Sequence, residues 1–356
     1  MRLVTLSVQS VRNLSPMTLE CAPGVNWLVG SNGAGKSSIL ESISLLATSR
    51  SFRSTEIAPV VARGTSELLV TGTAQADGEP AVRLGISRTT GGETVAKRDQ
   101  TLLRRASDLA RSLPAFVFDA NTVAKVFGAA VGRRSLLDWG VFHVEPEFGR
   151  LSRSLKLALA NRNALLKRQA IQQLPFWDST LDDLGTKIHE MRAKYLEQWT
   201  PRARVLSDSM QLPAVEIGYL RGWDGARPLL EVLSEAAEQD IRVGRTIYGP
   251  HRADLRLRSA LGLARETLSR GQQKALAAAL VLAQLTLSSD LGNTTPIALI
   301  DDLLAELDAI RAEAVISSLR KAHAQVFCAV IELPEALVQP AVDRVFRLRE
   351  GVLVGT

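Results

Sequence analysis

The spacing of apolar and polar positions divides the chain into alternating β-like and helical stretches. Near the start, Leu3, Thr5, Ser7 and Gln9 alternate with Val4, Leu6 and Val8, and Met17-Thr18-Leu19 follows a turn at Ser15-Pro16. A period of two predicts strands there. Val25-Asn26-Trp27-Leu28-Val29 reads as a short buried strand, and Ile39, Leu40, Ile43 and Leu46 then fall at helical spacing, so a helix starts at about Lys36. β character returns from Leu68 to Ile86, with a turn at Asp77-Gly78 and a hairpin tip at Gly91-Gly92. The chain is polar and helical just before Pro114, and Ala115-Phe116-Val117-Phe118 is a further short buried strand.

From about Gly132 to Arg204 turn signals are few and helical spacing dominates. Leu151, Leu155, Leu159 and Leu166 suit one face of a long helix, leaving Arg153, Arg162, Lys167 and Arg168 for its other faces. Leu181, Leu184, Ile188, Met191 and Tyr195 suit a second helix, with Lys187, Arg192 and Lys194 off that stripe, and Leu174-Pro175 punctuates between the two. The pattern predicts an antiparallel helical arm with a leucine core. Strand character resumes at Ala214-Val215-Glu216-Ile217, and a helix is expected from Pro228 to Ala237. An alanine- and leucine-rich helix runs from Lys274 to about Leu287. Ile297-Ala298-Leu299-Ile300 is a buried strand ending in Asp301-Asp302, followed by a strand from Gln325 to Val330 and a hairpin from Arg344 to Val354. No repeat or low-complexity tract is visible.

Composition narrows this picture. A chain of 356 residues, 46% hydrophobic and 5% aromatic, has room for one large domain or two unequal ones with an α/β balance. Cys21 and Cys328 lie far apart and form no metal or redox motif, so a reducing cytoplasm is the expected setting. No stretch approaches the ~20 apolar residues of a membrane span, and Met1 to Ser10 lacks the apolar core of a signal peptide. His143, His189, His251 and His323 have no metal-ligand spacing, and the five tryptophans read as core or lobe-packing residues rather than base-stacking platforms. The net charge of +6 is uneven: from Thr101 to Arg204 there are 17 Lys+Arg and 10 Asp+Glu, leaving the rest of the chain near −1. A basic middle points to a polyanionic partner or to a solvated basic surface, and charge alone does not choose.

The chemistry is concentrated in three places. Gly30-Ser31-Asn32-Gly33-Ala34-Gly35-Lys36-Ser37-Ser38 fits G-x-x-x-x-G-K-[ST], between a strand and a helix. In that setting glycines let backbone N–H groups face phosphate oxygens, and the helix N-terminus adds partial positive charge. Lys36 is expected to reach the β- and γ-phosphates of ATP, and Ser37 to hold Mg²⁺. The apolar strand ending at Asp301-Asp302 has the form of a Walker B strand, with Asp301 as a second Mg²⁺ ligand and Asp302 polarising water. Buried strands rarely end in paired carboxylates without a cation. Leu268-Ser269-Arg270-Gly271-Gln272 resembles the ABC signature, a serine hydroxyl and glycine amides at a helix start that grip the γ-phosphate held by another subunit. Taken alone it also reads as a helix cap. Leu304-Ala305-Glu306-Leu307-Asp308 stands where the ABC plan has its D-loop.

These motifs, in this order, resemble the RecF family of bacterial recombinational-repair proteins, compact relatives of SMC heads. The resemblance runs over nearly the whole chain. It includes Val11-Arg12-Asn13-Leu14, Ser49-Arg50-Ser51-Phe52-Arg53, Arg133-Arg134, Leu137-Asp138-Trp139-Gly140, Phe142-His143-Val144-Glu145-Pro146, Arg162-Asn163-Ala164-Leu165-Leu166 and Gly249-Pro250-His251-Arg252-Ala253-Asp254-Leu255. The strings around Asp138 and from Gly249 to Leu255 are the most specific. The resemblance implies an α/β fold, an ABC/SMC-head-like P-loop ATPase lobe with a second, mainly helical lobe. The expected division is 1–115 and 246–356 for the ATPase lobe and 116–245 for a basic, DNA-binding one. It also implies an ATP-dependent homodimer, weak DNA-stimulated hydrolysis, and binding to single-strand/double-strand DNA junctions. RecO and RecR would be its partners in loading RecA at gaps, in the cytoplasm and without a membrane. By the same plan Ser269, Arg270, Gly271 and Gln272 close the partner's nucleotide site, and Asp308 helps couple the two. Two departures stand out: Asp119-Ala120-Asn121-Thr122 replaces a Pro-Glu-Asp-like string, so no nucleotide contact is assigned there, and Val326 to Ile331 carries neither the usual threonines nor the histidine of transporter ATPases.

Two other functions compete. A nucleotide-binding subunit of a membrane transporter would share the three motifs, but the missing histidine and the long basic helical insertion argue against it. A P-loop kinase or other monomeric NTPase would explain Lys36 and Asp301 and leave Ser269 to Gln272 without a role. A full SMC protein is excluded, because the insertion is far too short for a long coiled coil.

Overall fold

The computed structural model describes residues 1–76, 78–105, 108–292, 296–302 and 307–355. Asp77 of the expected turn and Leu304, Ala305 and Glu306 of the expected D-loop lie outside them. In chain order, β1 (Arg2–Gln9), β2 (Met17–Glu20) and β3 (Val25–Val29) lead into α1 (Lys36–Thr48), followed by β4 (Glu67–Gln75), β5 (Val82–Thr89), β6 (Thr94–Arg98) and β7 (Thr101–Leu102). Next come α2 (Leu109–Ser112), β8 (Ala115–Phe118), α3 (Ala120–Phe127), α4 (Ala130–Val144), α5 (Phe148–Arg168), α6 (Leu174–Ser209), β9 (Val215–Leu220), α7 (Leu229–Glu235) and α8 (Ala237–Val243). The last elements are β10 (Asp254–Ser259), β11 (Gly262–Leu263), α9 (Ala264–Thr267), α10 (Arg270–Gly292), β12 (Ile297–Asp301), α11 (Ala309–Lys321), β13 (Gln325–Val330), β14 (Arg344–Arg349) and β15 (Val352–Gly355).

The chain forms two compact units, Met1–Thr122 with Lys274–Thr356, and Val123–Gln273. This differs from the expected division at both ends of the insertion. β8 pairs in parallel with β12, which keeps residues 116–122 in the first unit, whereas β10 pairs with β9, which draws residues 246–273 into the second.

The first unit has two sheets. One is antiparallel, in the order β2-β1-β4-β5-β6-β7; the other runs β15-β14-β3-β13-β12-β8 and is parallel from β14 to β8. The alternation in β1 and β4 matches a sheet with one face on the core, while β3 and β13 are mostly apolar and buried along their whole length, as parallel strands covered on both faces must be. Helix α1 touches both sheets and is buried nearly all round. That burial includes Glu41, which receives Nε and Nη2 of Arg12 at 2.8 Å each and the Ser51 hydroxyl. Buried Gln325 of β13 clips the sheets together: its side chain accepts from Leu3 N and donates to Leu3 O, both at 2.7 Å.

In the second unit the five-residue connection from α5 to α6 makes them antiparallel neighbours. Pro175 lies in the first turn of α6, where its missing N–H costs nothing, so it marks a helix start. The leucine stripes are core as expected: Leu151, Leu155, Leu166, Leu181, Leu184 and Ile188 are buried. The polar side of the arm needs correction, because Arg162 and Arg192 are buried rather than solvated. Arg162 donates to Asp178 and Asp240 at 2.5 Å each, and Arg192 donates to both oxygens of Asp138 at 2.8 and 3.0 Å. An arginine can enter a helix–helix seam when carboxylates meet it there.

α10 corrects another expectation. It contains one apolar window long enough to cross a membrane by length and composition, but 72% of that window is buried inside the protein, as a core helix would be.

Candidate functional site

The glycine loop opens at one edge of the parallel sheet. Val29 pairs with Val330, Asp301 with Ala329 and Ile300 with Phe118, so β3, β12 and β8 end together around β13. In an open parallel sheet this carboxyl edge is where ligands bind. The register brings residues 264 positions apart into contact: the Ser37 hydroxyl donates to Asp301 Oδ1 at 2.8 Å. Lys36 Nζ folds over the loop and donates to the carbonyls of Gly30 and Ser31 at 2.7 and 3.0 Å.

The loop is shaped by its glycines at two points. Gly35 has φ +104, and a Cβ there would come 2.7 Å from Leu14 Cδ2. At Gly30 a Cβ would come 2.5 Å from the Leu348 carbonyl oxygen. The loop is also braced from outside. Asn13 donates to Gly33 O at 3.0 Å and accepts from the Ser38 hydroxyl at 3.1 Å, while Gly351 N of the β14–β15 hairpin donates to Ala34 O at 3.0 Å. Ser31, Asn32 and Gly33 are exposed at the loop tip, and α1 begins without a side-chain cap. An uncapped helix N-terminus behind such a loop is completed by an anion.

The electrostatics are those of an opened site. Burial lowers the Lys36 ammonium from the ordinary lysine value, opposed by Asp302 and Asp301. Burial also pushes the Asp301 carboxyl above the ordinary aspartate value. The Ser37 hydrogen bond pulls it down and the Asp302 charge pushes it up, with smaller effects from Arg53 and Asp119. Asp302 is exposed and has φ +57, a left-handed conformation that aspartate tolerates better than most residues and that turns the chain sharply after β12.

The residues present fit a nucleotide with Mg²⁺. Backbone N–H groups, an ammonium and an uncapped helix start suit phosphates. A hydroxyl beside one carboxylate suits a cation that takes few protein ligands and completes its shell with phosphates and water. Among the described residues no cluster of three or more His, Cys, Asp or Glu is positioned for a metal.

The signature residues belong to the second unit, where Ser269, Arg270 and Gly271 are exposed. They start α10 four residues earlier than expected, and they do so as a capping box. Gln272 N donates to Ser269 Oγ at 3.3 Å, and Gln272 Oε1 accepts from Ser269 N at 2.9 Å. Asp308 caps α11, accepting from Arg311 N at 2.9 Å.

Other site neighbours were not assigned from sequence. Asn13 and Arg53 sit in strings noted only for resemblance, and Asp119 follows a strand whose place beside β12 only the topology reveals. The Asp119 carboxylate accepts from the Thr122 hydroxyl at 2.8 Å and from the Asn121 amide nitrogen at 3.0 Å, so its bonds are local side-chain ones. The most specific strings have structural work in the second unit. Arg133 donates to both oxygens of Asp254 at 2.8 and 2.9 Å, Arg134 to Ala253 O at 2.7 Å, and Arg192 to Pro250 O at 2.8 Å. They clasp the loop from Gly249 to Asp254 onto α4 and α6.

Comparison with known proteins agrees with this arrangement. A family model for the RecF/RecN/SMC N-terminal domain matches residues 2–352. A DNA replication and repair protein RecF from Pseudomonas entomophila (strain L48) is 39% identical over 336 residues, covering 93% of this chain and 91% of its own. One from Stutzerimonas stutzeri (strain A1501) is 38% identical over 335 residues, covering 93% and 90%. The solved structure of the recombination mediator protein RecF-ATP in the RecFOR pathway covers 99% of this chain and 96% of that one, with a TM-score of 0.88 and 24% identity. An Smc head bound to the C-winged helix domain of ScpA covers 99% and 96%, with a TM-score of 0.61 and 14% identity. The fold is therefore that of ABC-type ATPase heads.

Proposed function

Because the chain belongs to the RecF/RecN/SMC N-terminal domain family, and within it to the RecF proteins of DNA replication and repair, we propose that it is an ATP-dependent DNA clamp with weak, DNA-stimulated hydrolysis. The observation that carries the reading is the contact between Ser37 and Asp301 at the open edge of the sheet. ATP is the nucleotide. Loop amides from Gly30 to Ser38 and the Lys36 ammonium bind its phosphates; Lys36 must first exchange its bonds to Gly30 O and Ser31 O for phosphate oxygens. Ser37 and Asp301 would hold Mg²⁺, which supplies charge neutralisation at the phosphates when bound. Asp302, exposed beside them, orients or deprotonates water.

The signature is completed by a second copy of the chain. Ser269, Arg270, Gly271 and Gln272 are presented toward the nucleotide held by a partner, and Asp308 couples the two sites. The exposure of Ser269 to Gly271 supports this, and the capping box does not compete with it, because a serine oxygen that accepts from Gln272 N still has its own proton to donate. The basic second unit binds DNA phosphates, with single-strand/double-strand junctions as the preferred structure. RecR and RecO are its expected partners in loading RecA at gaps and supporting the SOS response, in the cytoplasm. The transporter reading is not favoured by the relatives found.

Lys36→Ala tests the nucleotide site. It removes a charge-assisted contact to phosphate, and nucleotide binding measured by calorimetry should weaken roughly a hundredfold or more. Unchanged affinity would exclude this loop as the phosphate cradle.

A further inference from the structure

In a phosphate-binding loop the N–H groups turn inward, so carbonyls of the same peptide units turn outward and need donors of their own. Two of these carbonyls are met from outside the loop. Asn13 Nδ2 donates to Gly33 O, and Gly351 N donates to Ala34 O, each at 3.0 Å. The first bond fixes the peptide whose N–H, on Ala34, closes a turn onto Ser31 O at 3.1 Å. The second fixes the peptide between Ala34 and Gly35. Because the C=O and N–H of a trans peptide point opposite ways, it also holds the Gly35 N–H toward the inside of the loop.

Both donors are themselves held in place. Arg12 has φ +50, donates from its backbone N to Val60 O at 2.8 Å, and donates from its guanidinium to both oxygens of Glu41 on α1. The residue next to it, Asn13, then meets the loop that opens the same helix. The Ser38 hydroxyl, 3.1 Å from Asn13 Oδ1, orients the amide from its other end. Asn13 is exposed, so its side chain is not there to fill the core. Gly351 and Glu350 form the two-residue turn between β14 and β15, both at positive φ. The Gly351 carbonyl accepts from Ser15 N at 3.0 Å, and a Cβ on Gly351 would come 1.9 Å from Asn13 O. The turn therefore reaches the loop only with glycine at its tip.

We propose that Asn13 and the Glu350–Gly351 turn are positioning residues for ATP: they hold the loop's outward carbonyls so that its N–H groups face the phosphates before ATP arrives. Asn13 acts through Gly33 and Ser38, and Gly351 acts through Ala34. A loop set in advance loses less freedom on binding, so the brace raises affinity without touching the nucleotide. The inference rests on the reading of Gly30 to Ser38 as the phosphate cradle and adds to it what keeps the cradle in shape. It also gives a function to the Val11-to-Leu14 string and to the C-terminal hairpin.

The test pairs ATP binding by calorimetry with amide hydrogen exchange in the absence of nucleotide, on the full chain. Asn13→Ala should weaken ATP binding roughly tenfold. KM for ATP should rise by a similar factor while kcat at saturating ATP stays that of the parent, as expected when binding alone is affected. Without nucleotide, amides from Gly33 to Lys36 should exchange faster, while those from Ile39 to Leu46 keep the parent's protection. Gly351→Ala, which forces the turn off the loop, should show the same pattern. Parent-like affinity in Asn13→Ala overturns the proposal. Weakened binding with unchanged exchange of the loop amides also overturns it, because Asn13 would then act on ATP directly. Lost protection along α1 overturns it as well, reducing Asn13 to a general contributor to stability. Lys36→Ala serves as the control: if it binds ATP as the parent does, the cradle reading itself fails, whereas its loss of binding confines any failure to the brace.

Discussion

Asp301 shows how a single residue is placed at a cost to stability. Burial raises its carboxyl pKa above the unfolded value, so the folded state binds more protons between the two values, and stability falls as pH rises through that window. The cost is present above that window. Asp301→Asn removes it and should raise the midpoint of thermal unfolding at pH 7, while Mg²⁺-dependent hydrolysis is lost. The difference from the parent should close as pH falls toward ~3.9, the ordinary aspartate value. Scanning calorimetry across pH checks this, and a lower midpoint at pH 7 would contradict it. Lys36 faces the same conflict with opposite charge, since burial disfavours its ammonium. Such strained ionisations gather where a ligand is expected to relieve them. The motif residues were legible individually from their types and spacing. What sequence could not supply was the contact between Ser37 and Asp301, because it depends on the order of β3, β13 and β12.

At the scale of elements, periodicity served best where one face is buried. The strands β1 to β5 and helices α1, α5 and α6 lie where alternation and leucine spacing placed them. It failed for polar residues inside helices, because a buried arginine and a solvated one have the same spacing. Arg162 occupies a core position of α5, one turn after Ala158 and one before Leu166, and only its partners on α6 and α8 make that possible. Replacing one member of such a network leaves the others charged and unmatched. Arg162→Met should therefore destabilise the second unit by about 3–5 kcal/mol. Urea unfolding followed by circular dichroism measures it, and a loss within ~0.5 kcal/mol would show the network to be dispensable. β10 was missed for a different reason. Leu255 and Leu257 alternate with Arg256 and Arg258, a period of two, but the strand begins inside the Gly249-to-Leu255 string, which carries no such period. The pairing of β10 with β9 is what moves the boundary from 245 to 273.

At the scale of the molecule, the account turns on whether the signature acts across a dimer. A glycine loop and a Walker B strand can hold a nucleotide within one chain, whereas in the proposed clamp Ser269 and Gly271 meet a nucleotide supplied by a second copy. In that proposal ATP is the link between subunits. The most direct measurement is solution mass by analytical ultracentrifugation of the parent and of Ser269→Arg, each with and without Mg²⁺-ATP. The parent should change from monomer to dimer only with ATP, and Ser269→Arg should still bind ATP and stay monomeric. A parent that stays monomeric with ATP, even when DNA is added, or a variant that dimerises as the parent does, would contradict the composite site.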